Sequence, residues 1–567
     1  MAILRNVAMA GRRNGGMADR RTVGPSVAVA ALILTIAHPM GSAAQTLGAS
    51  SSPGGPQQPS WLTAWSPLAE IAELPRDLPA GGTSLPSLLT LPAPRVGLFW
   101  TAGNPGALPF DVSDSYAQIQ AGQRRYSGEY RRPMDAGTDS RAGGAALGWT
   151  TLATNGAAIG RVVVERLHSH DGARANTVLP HSSNPFTVLD TLGDAMAGMV
   201  VRLEGAGGWR IGPLGVGAAV GYDGREVRTV ESPVPRLDRV SATGVTGGLS
   251  YDIARGAVRI GVFGRRQQTA QTVIESAYAG GSLVYSFSGY FNPLPYVMQP
   301  GSEGLWRRSD RVSTAYGVSL GGRVRELTWA AFAEAHSATE SQYIDPYDND
   351  PATDDWDADG WAAGLEARAV LGDSAVLLAL GARHSRLEGR ALRMDLEDVN
   401  FEAEEQATNV TGEMRLLPRH GWGAALSVAL GHEHRRRDDS LARIGSDLTQ
   451  WAPAASVEIS RTLPFGFSVS AAAAVAQHMP TGSIPNPARM STAYQRWIAP
   501  EMSLYGTEAS SRGGAVTLCW RSASGAGFWV RGSLASLSPE SGGGRLQSVP
   551  DGSRSKRAVD VGVTFLR

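Results

Sequence analysis

Residues 354–366, DDWDADGWAAGLE, have the residue types and spacing of a calcium-binding EF-hand loop. Carboxylates occupy alternate positions before a glycine at the sharp turn, and a glutamate closes the pattern as the last ligand. These candidate ligands are Asp355, Asp357, Asp359 and Glu366. Calcium prefers carboxylate oxygens at this spacing. The motif therefore predicts a calcium site, provided that the chain around it folds as helix, loop and helix.

The residues that follow Gly360 argue against that fold. WAAGLEARAVL, residues 361–371, alternates apolar with small or charged residues, as a β-strand does. A strand would place Glu366 about 20 Å beyond Gly360, too far for both ends of the motif to share one ion. We therefore reject the EF-hand. The acidic loop 345–359 is then either a loose calcium site, with its three alternate aspartates as ligands, or a solvated loop.

Two His-x-His pairs are the other candidate metal ligands, His168 with His170 and His432 with His434. Alternate residues of a strand share a face, so each pair has the spacing to grip one metal ion near a strand end. The second pair also continues the apolar row that starts at Trp422, and a histidine at a membrane interface needs no metal. The sequence completes no catalytic constellation, and we predict neither an enzyme nor a cofactor.

The elements that must position these residues are β-strands, because a period of two dominates from about residue 115 onwards. In GWGAALSVALGHEH, Leu426, Val428 and Leu430 share one face and Ser427 lies on the other. Other segments with this alternation are residues 212–222, 311–323 and 558–567. Many are long enough to cross a membrane at a tilt. Their second face is rich in Gly, Ser and Arg, which is typical of a lumen.

Short turns and long polar loops alternate between these strands, as in outer-membrane barrels. Asn155-Gly156 is one short hairpin turn. The predicted long loops are about 128–140, 171–193, 227–239, 275–308, 341–358, 389–402, 436–447, 479–498 and 538–554. This pattern predicts a closed antiparallel transmembrane β-barrel of about 18 strands, with a range of 16–20. YSFSGYF (285–291) is assigned to a loop, because a further crossing there would break the alternation of upward and downward strands. RVGLFW (95–100) would form a membrane-crossing strand only with a partner strand upstream.

Aromatic residues near the strand ends are predicted to form girdles at the two membrane interfaces. They are Trp149, Tyr222, Trp329, Trp361, Trp422, Trp451, Trp520 and Trp529.

Charged residues on the predicted inner faces are candidates for lining a pore. They are Arg259, Arg265, Arg311, Arg323, Glu366, Arg368 and Arg383. Charges along a pore select ions and solutes, so the excess of arginine predicts a mild anion preference. Opposite charges inside a barrel would also pair and stiffen its wall. Both interpretations stay open at this point.

Composition and the N-terminus set the location. Lys plus Arg (52) equals Asp plus Glu (52), so no nucleic-acid partner is predicted, and the single Cys519 excludes an intramolecular disulfide. Residues 1–44 are typical of a signal peptide, with VAVAALILTI after a basic region; translation starts at Met1 or Met17. Residues 45–94 are predicted to be a periplasmic linker and possible plug, and 95–567 the barrel. The predicted location is the outer membrane.

The stretch GNPGALPFDVSDSYAQIQAGQRRYSGEYRR is similar to the start of a family of large outer-membrane barrels without assigned function. There an Asn-Pro-x-Ala-Leu element, here Asn104, Pro105, Ala107 and Leu108, precedes the first long strands. The resemblance covers about 450 residues and implies fold and location rather than an activity. Such barrels commonly end in an aromatic residue, whereas Phe565 is third from the end of this chain.

Two functions follow from these features. The first is a pore or transporter for small polar or anionic solutes, because 16–18 strands enclose an aqueous lumen. Residues 61–94 or the loop 275–308 would plug or narrow it. The second is a binding or assembly partner of another envelope protein, with a plugged lumen. The other expected partners are outer-membrane lipid and the outer-membrane assembly machinery. The identity of the solute and the oligomeric state do not follow from the sequence.

Overall fold

The computed structural model describes most of the chain after residue 95. The described ranges are 96–131, 136–175, 187–229, 236–254, 256–275, 282–287, 294–298, 305–344, 354–371, 376–393, 398–416, 421–483, 495, 499–522, 525–539 and 552–566. The predicted signal peptide (1–44) and linker (45–94) lie outside these ranges.

Within the described ranges, twenty strands form one antiparallel sheet. They are β1 (Tyr116–Gly128), β2 (Thr138–Leu152), β3 (Gly156–Ala175), β4 (Thr187–Ile211), β5 (Leu214–Thr229), β6 (Arg236–Asp252), β7 (Arg259–Glu275), β8 (Ser282–Phe287), β9 (Leu294–Met298), β10 (Leu305–Val324), β11 (Leu327–Ile344), β12 (Asp354–Leu371), β13 (Val376–Arg393), β14 (Asp398–Leu416), β15 (Trp422–Asp439), β16 (Ile444–Thr462), β17 (Phe467–Ser483), β18 (Ala509–Arg521), β19 (Ala526–Pro539) and β20 (Arg554–Leu566).

The sheet closes because β1 pairs with both β2 and β20, with Tyr116 opposite Leu566 at the seam. Each other wall strand pairs with the next along the chain, except that β7 pairs directly with β10. The short β8 pairs with the start of β4 and with the short β9, and neither takes a place in the ring. Eighteen strands therefore form a closed barrel, which confirms the predicted count. Residues 285–287, in β8, do not cross, as the sequence indicated.

The two faces of the wall follow the predicted alternation. Leu426, Val428 and Leu430 on β15 are exposed on the outside, whereas Ser427 between them is buried on the inside. The same holds on β12, where Trp361 and Leu365 point outwards and Glu366 inwards. A strand with one apolar and one polar face fits a wall between lipid and a polar interior.

The strands extend further than the sequence indicated, so several predicted loops are too long. β12 begins at Asp354 instead of near residue 361, and only residues 440–443 separate β15 from β16. On such extensions the outer face carries ion pairs; Arg390 with Glu402, at 3.4 Å between β13 and β14, is one. Hydrophobic alternation ends where the wall leaves the membrane, because both faces are polar from there on. The sequence pattern therefore revealed only the part of each strand that contacts lipid.

The predicted girdle is wrong for two tryptophans. Trp149 and Trp529 are 3% and 2% exposed and lie on the inner face. Trp149 stacks on Tyr116 with 4.6 Å between ring centroids. The six others lie on the outer face; they are Tyr222, Trp329, Trp361, Trp422, Trp451 and Trp520.

Several inner-face aromatic rings lie flat over glycines of the next strand of the wall. A Cβ on Gly317 would lie within 3.0 Å of the Phe263 ring, and one on Gly364 would meet the Phe332 ring in the same way. Two further pairs have this arrangement, Trp356 over Gly389 and Trp529 over Gly562. Glycine in a strand commonly marks a close approach by another group. Here that group is a ring that packs along the wall.

Few helices accompany the strands. Before β1 lie α1 (Leu98–Ala102), a 3-10 turn (Pro105–Ala107) and α2 (Leu108–Asp111). A second 3-10 turn (Pro464–Gly466) joins β16 to β17, and α3 (Ala499–Tyr505) precedes β18. Residues 98–100 are thus helical and do not form a crossing strand. In the described part of the chain, no helix has the length and apolar character to span a membrane.

Candidate functional site

Residues 96–115 lie inside the barrel, and we call them the luminal segment. α1 packs against β10–β12 and α2 against β3–β5. Phe99 and Leu108 are fully buried among inner-face residues such as Ile159 and Ala330. The wall positions in contact lie near the ends of β4, β6 and β10 and near the starts of β5, β7 and β11. The segment therefore lies at the end of the lumen where the short turns are, which we call the short-turn end.

Local sequence folds the segment into two short helices with a tight link. Gly103 ends α1 in the left-handed conformation, φ 71°, and its N–H donates to the Phe99 carbonyl at 2.9 Å. This is the usual glycine stop of a helix. Asn104 then caps the 3-10 turn, because its Oδ1 accepts from the Gly106 N–H at 3.0 Å. Pro105 suits the first position of that turn, where its missing N–H costs nothing.

Asn104 also fixes the segment to the wall. Its Nδ2 donates to the Leu249 carbonyl on β6 at 2.9 Å and to Ser319 Oγ on β10 at 3.3 Å. Ser250 Oγ on β6 donates to the Gly106 carbonyl at 2.7 Å. Asn104 is fully buried. Because each of these buried groups would be costly to leave without a partner, the contacts define one docked position.

Glycines on the inner wall make room for this docking. Gly208, Gly217 and Gly248 lie side by side on β4, β5 and β6. A Cβ on any of the three would come within 3.0 Å of Asn104 or Pro105. Gly215 and Gly261 flank Ser250 in the next row and approach Gly106 and Asn104 as closely. We call these five residues the glycine track. A side chain at any of them would compete with the segment for space.

The end of α2 carries the charged contact. Asp111 Oδ1 accepts from Arg259 Nη1 on β7 at 2.9 Å, and its Oδ2 accepts from the Phe99 N–H at 2.8 Å. Burial raises the pKa of Asp111 to about 6, and Arg259 and the Phe99 amide oppose this only in part. The ring of Phe110 lies 4.8 Å from the Arg259 guanidinium and 5.7 Å from that of Arg210. Two wall arginines thus hold one aromatic ring and one carboxylate.

The end of α1 makes further contacts with the wall. Thr101 Oγ1 donates to Glu366 Oε2 on β12 at 2.9 Å. Ala102 packs in a cluster with Phe263 and Phe332, two of the rings that lie over glycines. Trp100 meets Trp149 edge to face at 5.6 Å. Trp149, which was predicted for the interfacial girdle, is therefore part of the inner-wall surface that contacts the segment.

All seven predicted pore-lining residues lie on inner-face positions, and most have partners there. Arg259 binds Asp111 and Glu366 binds Thr101, both on the luminal segment. Arg265 lies 3.6 Å from Glu334, and Arg311 lies 3.9 Å from Glu340. Arg323 donates to the Arg325 carbonyl at 3.3 Å, and the guanidinium of Arg383 lies 5.4 Å from the Phe332 ring. Arg368 lies on the inner face of β12. These distances favour the interpretation that opposite charges pair.

More inner-face pairs escaped the sequence argument. Arg124 lies 3.4 Å from Glu165, Arg161 lies 3.6 Å from Glu204, and Asp223 bridges Arg202 and Arg225 at 3.1 and 2.8 Å. Sequence alternation gives the face of each residue but not the register of neighbouring strands. The pairing of these charges therefore could not be read from the chain.

The candidate metal ligands are not brought together. Asp355, Asp357 and Asp359 lie on the outer face of β12, and Glu366 lies on its inner face, which agrees with the rejection of the EF-hand. In the described residues no three His, Cys, Asp or Glu side chains lie close enough to hold a metal ion. Residues 345–353 of the acidic loop lie outside the described ranges, so loose calcium binding stays a prediction.

Each histidine pair lies on the outer face. The rings of His168 and His170 are 4.3 Å apart at the end of β3. His434 Nε2 lies 2.9 Å from Asp447 Oδ1, and the ring of His432 lies 4.4 Å from Trp451. The second pair continues the outward row of β15, as predicted.

At the opposite end, where the long loops are, α3 lies against the inner face of the wall. Leu504 packs with Tyr126 and Leu537, which are inner-face residues of β1 and β19. Met502 lines a small cavity with residues of β15 and β16, among them Arg435 and Gln450. The sequence analysis did not predict this helix, which begins directly after the predicted loop 479–498. We call this the long-loop end.

The closed barrel, the apolar outer band and the charged inner wall define a bacterial outer-membrane β-barrel. The chain belongs to a family whose printed description is "Family of unknown function (DUF6850)", and the family model matches residues 105–565. The match begins at Pro105, so residues 105–115 of the luminal segment lie within the matched region. No curated protein matches the sequence.

Solved structures with a similar course of the chain include three transporters. The copper transporter OprC is 10% identical over 80% of each chain, with a TM-score of 0.38. The ferric citrate transporter FecA in its unliganded form is 8% identical over 79% of this chain and 78% of that one, with a TM-score of 0.37. The FrpB iron transporter from Neisseria meningitidis is 8% identical over 82% and 83%, with a TM-score of 0.37.

Proposed function

We propose that the protein is an outer-membrane pore or transporter for small polar or anionic solutes, and that the luminal segment closes its short-turn end. One observation carries this proposal. The segment is a separate insert, held to the inner wall by a few polar contacts and a track of glycines. A barrel of this size without an insert encloses an aqueous lumen. If the luminal segment leaves the inner wall, the lumen opens to solutes, so the segment acts as a gate.

The character of the inner wall supports passage of polar solutes. Inner-face positions carry Ser, Gly, Gln and charged side chains along most of the strands. A solute in such a lumen meets hydrogen-bonding groups on most strands of the wall. The wall is thus suited to small polar molecules.

While the segment is docked, the charges of the inner wall are expected to be nearly balanced. Arg265 and Arg311 have acidic neighbours on the wall, so their fields are largely balanced. Arg259 differs, because its closest carboxylate, Asp111, belongs to the segment. Release of the segment would leave Arg259 with Asp252 at 3.9 Å as its acidic neighbour. Anion preference should therefore grow when the segment leaves.

Conductance in a planar bilayer tests the proposal with a matched pair of variants. Gly217→Val places a side chain against Pro105, whereas Ala218→Val changes the adjacent outward position of β5. We expect Gly217→Val to conduct with larger or longer openings than the wild type, and Ala218→Val to behave as the wild type. A folded, heat-modifiable Gly217→Val barrel that stays silent would contradict the pore.

The second candidate is a binding or assembly partner of another envelope protein, with a permanently plugged lumen. The complete burial of Phe99, Asn104 and Leu108 favours it, because a segment that is meant to leave need not be packed so closely. Silence of both the wild type and Gly217→Val in the bilayer would support this candidate. The next experiment would then be to capture the partner with the intact barrel.

A further inference from the structure

Phe110 and Asp111, at the end of α2, occupy a recess in the inner wall. Asp111 Oδ1 is 2.9 Å from Arg259 Nη1, and the Phe110 ring centroid lies 4.8 Å from the guanidinium carbon of Arg259 and 5.7 Å from that of Arg210. Arg210 is on β4 and Arg259 on β7, so the two arginines stand on either side of β5 and β6. Together they recognise a negative charge and an aromatic face.

The wall is shaped for the ring as well as for the charge. Gly215 on β5 lies beneath it, and a Cβ there would come 2.6 Å from Phe110 Cε2. An arginine over an aromatic face is attracted by the ring quadrupole. The same Arg259 forms a charge-assisted hydrogen bond to the carboxylate, which is among the stronger contacts available to it. Ring and carboxylate thus share one arginine.

We propose that this recess is a binding site for small aromatic carboxylates, and that Phe110 and Asp111 occupy it as a tethered surrogate. The suitable ligand has a phenyl ring joined to a carboxylate by a short flexible chain, so that the ring folds over the guanidinium that holds the carboxylate. This inference rests on the proposed function and names a solute class for it. The ligand and the docked segment exclude each other from the recess.

Competition sets the expected concentration range. A tethered group behaves as if present at an effective concentration on the order of millimolar. A free ligand must outcompete it, so the wild type should bind weakly and the site should tighten when Phe110 and Asp111 are removed. Because the ligand binds only the undocked state, it shifts the population towards that state. A solute of this class would therefore open the gate that it passes.

The test uses 3-phenylpropionate and the full refolded chain in detergent. Isothermal titration calorimetry compares the wild type, the double variant Phe110→Ala/Asp111→Ala, and that double variant with Arg259→Gln added. We expect the double variant to bind at least tenfold more tightly than the wild type, and Arg259→Gln to abolish the gain. Propionate lacks the ring and 3-phenylpropan-1-ol lacks the charge, so both should bind more weakly. Equal binding of propionate, or binding indifferent to Arg259→Gln, would overturn the proposal.

A second measurement needs no change to the segment. Hydrogen exchange of the wild type, followed by mass spectrometry, reports protection of residues 96–115 as the ligand is added. Protection should fall with 3-phenylpropionate and stay unchanged with the two control compounds at equal concentration; unchanged protection with all three would refute the competition. Neither measurement requires transport. Binding without conductance would therefore contradict the proposed pore and support the binding site. Conductance without binding would support the pore and contradict the binding site.

Discussion

The two ends of the lumen are occupied in different ways. At the short-turn end the luminal segment is held by directed polar contacts, with Asn104, Thr101 and Asp111 each bonded to the wall. At the long-loop end, Leu504 of α3 packs with the apolar side chains of Tyr126 and Leu537, and the buried Met502 lines a small cavity. The first kind of contact fixes a single position, and the second tolerates small shifts.

The wall beneath each insert differs accordingly. The glycine track brings backbone against backbone, so that Gly106 lies within van der Waals reach of Gly248. Under α3 the wall instead offers full side chains, Tyr126 and Leu537. Close backbone contact demands geometric fit and loses much if one atom is added. Side-chain packing loses most when a large group is removed. The two ends should therefore fail under opposite kinds of substitution.

The largest effect is expected at the long-loop end. Leu504→Asp removes a buried leucine and puts a carboxylate beside Tyr126 and Leu537, at a cost of about 3–5 kcal/mol. Hydrogen exchange should show α3 losing its protection while residues 96–115 keep theirs. Leu504→Met, which preserves volume, is the control and should change little. Loss of protection at both ends would mean that the two inserts are coupled.

Gly248→Val is the matching change at the short-turn end. Its side chain would overlap Asn104, and overpacking of this kind costs about 1–3 kcal/mol. We expect residues 96–115 to exchange faster and α3 to stay protected. Gly247→Val is the control, since nothing lies within 4 Å of a Cβ at Gly247, on the outer face. If both valines had the same effect, the glycine track would have no role in docking.

Asn104→Ala should have a smaller effect in the same place. It removes the cap on the Gly106 N–H and the bond to the Leu249 carbonyl, a loss of about 1–2 kcal/mol. Protection of the segment should fall by roughly one order of magnitude, which corresponds to about 1.4 kcal/mol. Asn104→Asp keeps the cap but buries a carboxylate opposite the Leu249 carbonyl, so it should weaken docking more than Asn104→Ala does. An unchanged protection factor in Asn104→Ala would place the docking energy elsewhere.

The smallest predicted effect is a dependence on pH. Burial raises the pKa of Asp111 from 3.8 to about 6 in the docked state, so docking takes up a proton. The resulting stabilisation is complete below pH 3.8 and is lost as the pH rises through about 6. Docking should therefore be stronger at pH 5 than at pH 7.5, by up to about tenfold.

Protection factors, corrected for intrinsic exchange, measure this change in residues 96–115. The docked carboxyl faces Arg259, and Asp252 is the other acid within 4.0 Å of that arginine. Asp111→Asn cannot titrate, so it should remove the dependence on pH. A dependence that persists in Asp111→Asn would assign it to another group.

Much of the barrel could be predicted from the sequence, because its main physical cause is local. Leu426 faces lipid and its neighbour Ser427 faces the interior. This difference gives the membrane-crossing part of a strand an alternation of apolar and polar residues. Where that cause ends, prediction failed. Beyond the membrane the outer face of β12 carries Asp355 and Asp357, and the strand continues although the hydrophobic signal has stopped.

The luminal segment was out of reach for a related reason. Its two helices have five and four residues, too short for a helical period to appear. A usable signal was nevertheless present, since Gly217 falls on a predicted inner-face position; Gly208 and Gly248 lie beside it only once the strands pair. Glycine in a strand often marks a close approach by another backbone. The Asn104-Pro105-Gly106 turn beside them supplies that backbone.

The rings over glycines bear on how the wall assembles. Phe263 faces Gly317, Phe332 faces Gly364 and Trp529 faces Gly562, each as a direct partner across two paired strands. A slip of one residue between such strands would turn the glycine outwards and set the ring against a side chain. Each ring and its partner glycine therefore fit together in only one register of the two strands. In a sheet of many similar, alternating strands, such ring–glycine pairs disfavour incorrect strand registers before the barrel closes.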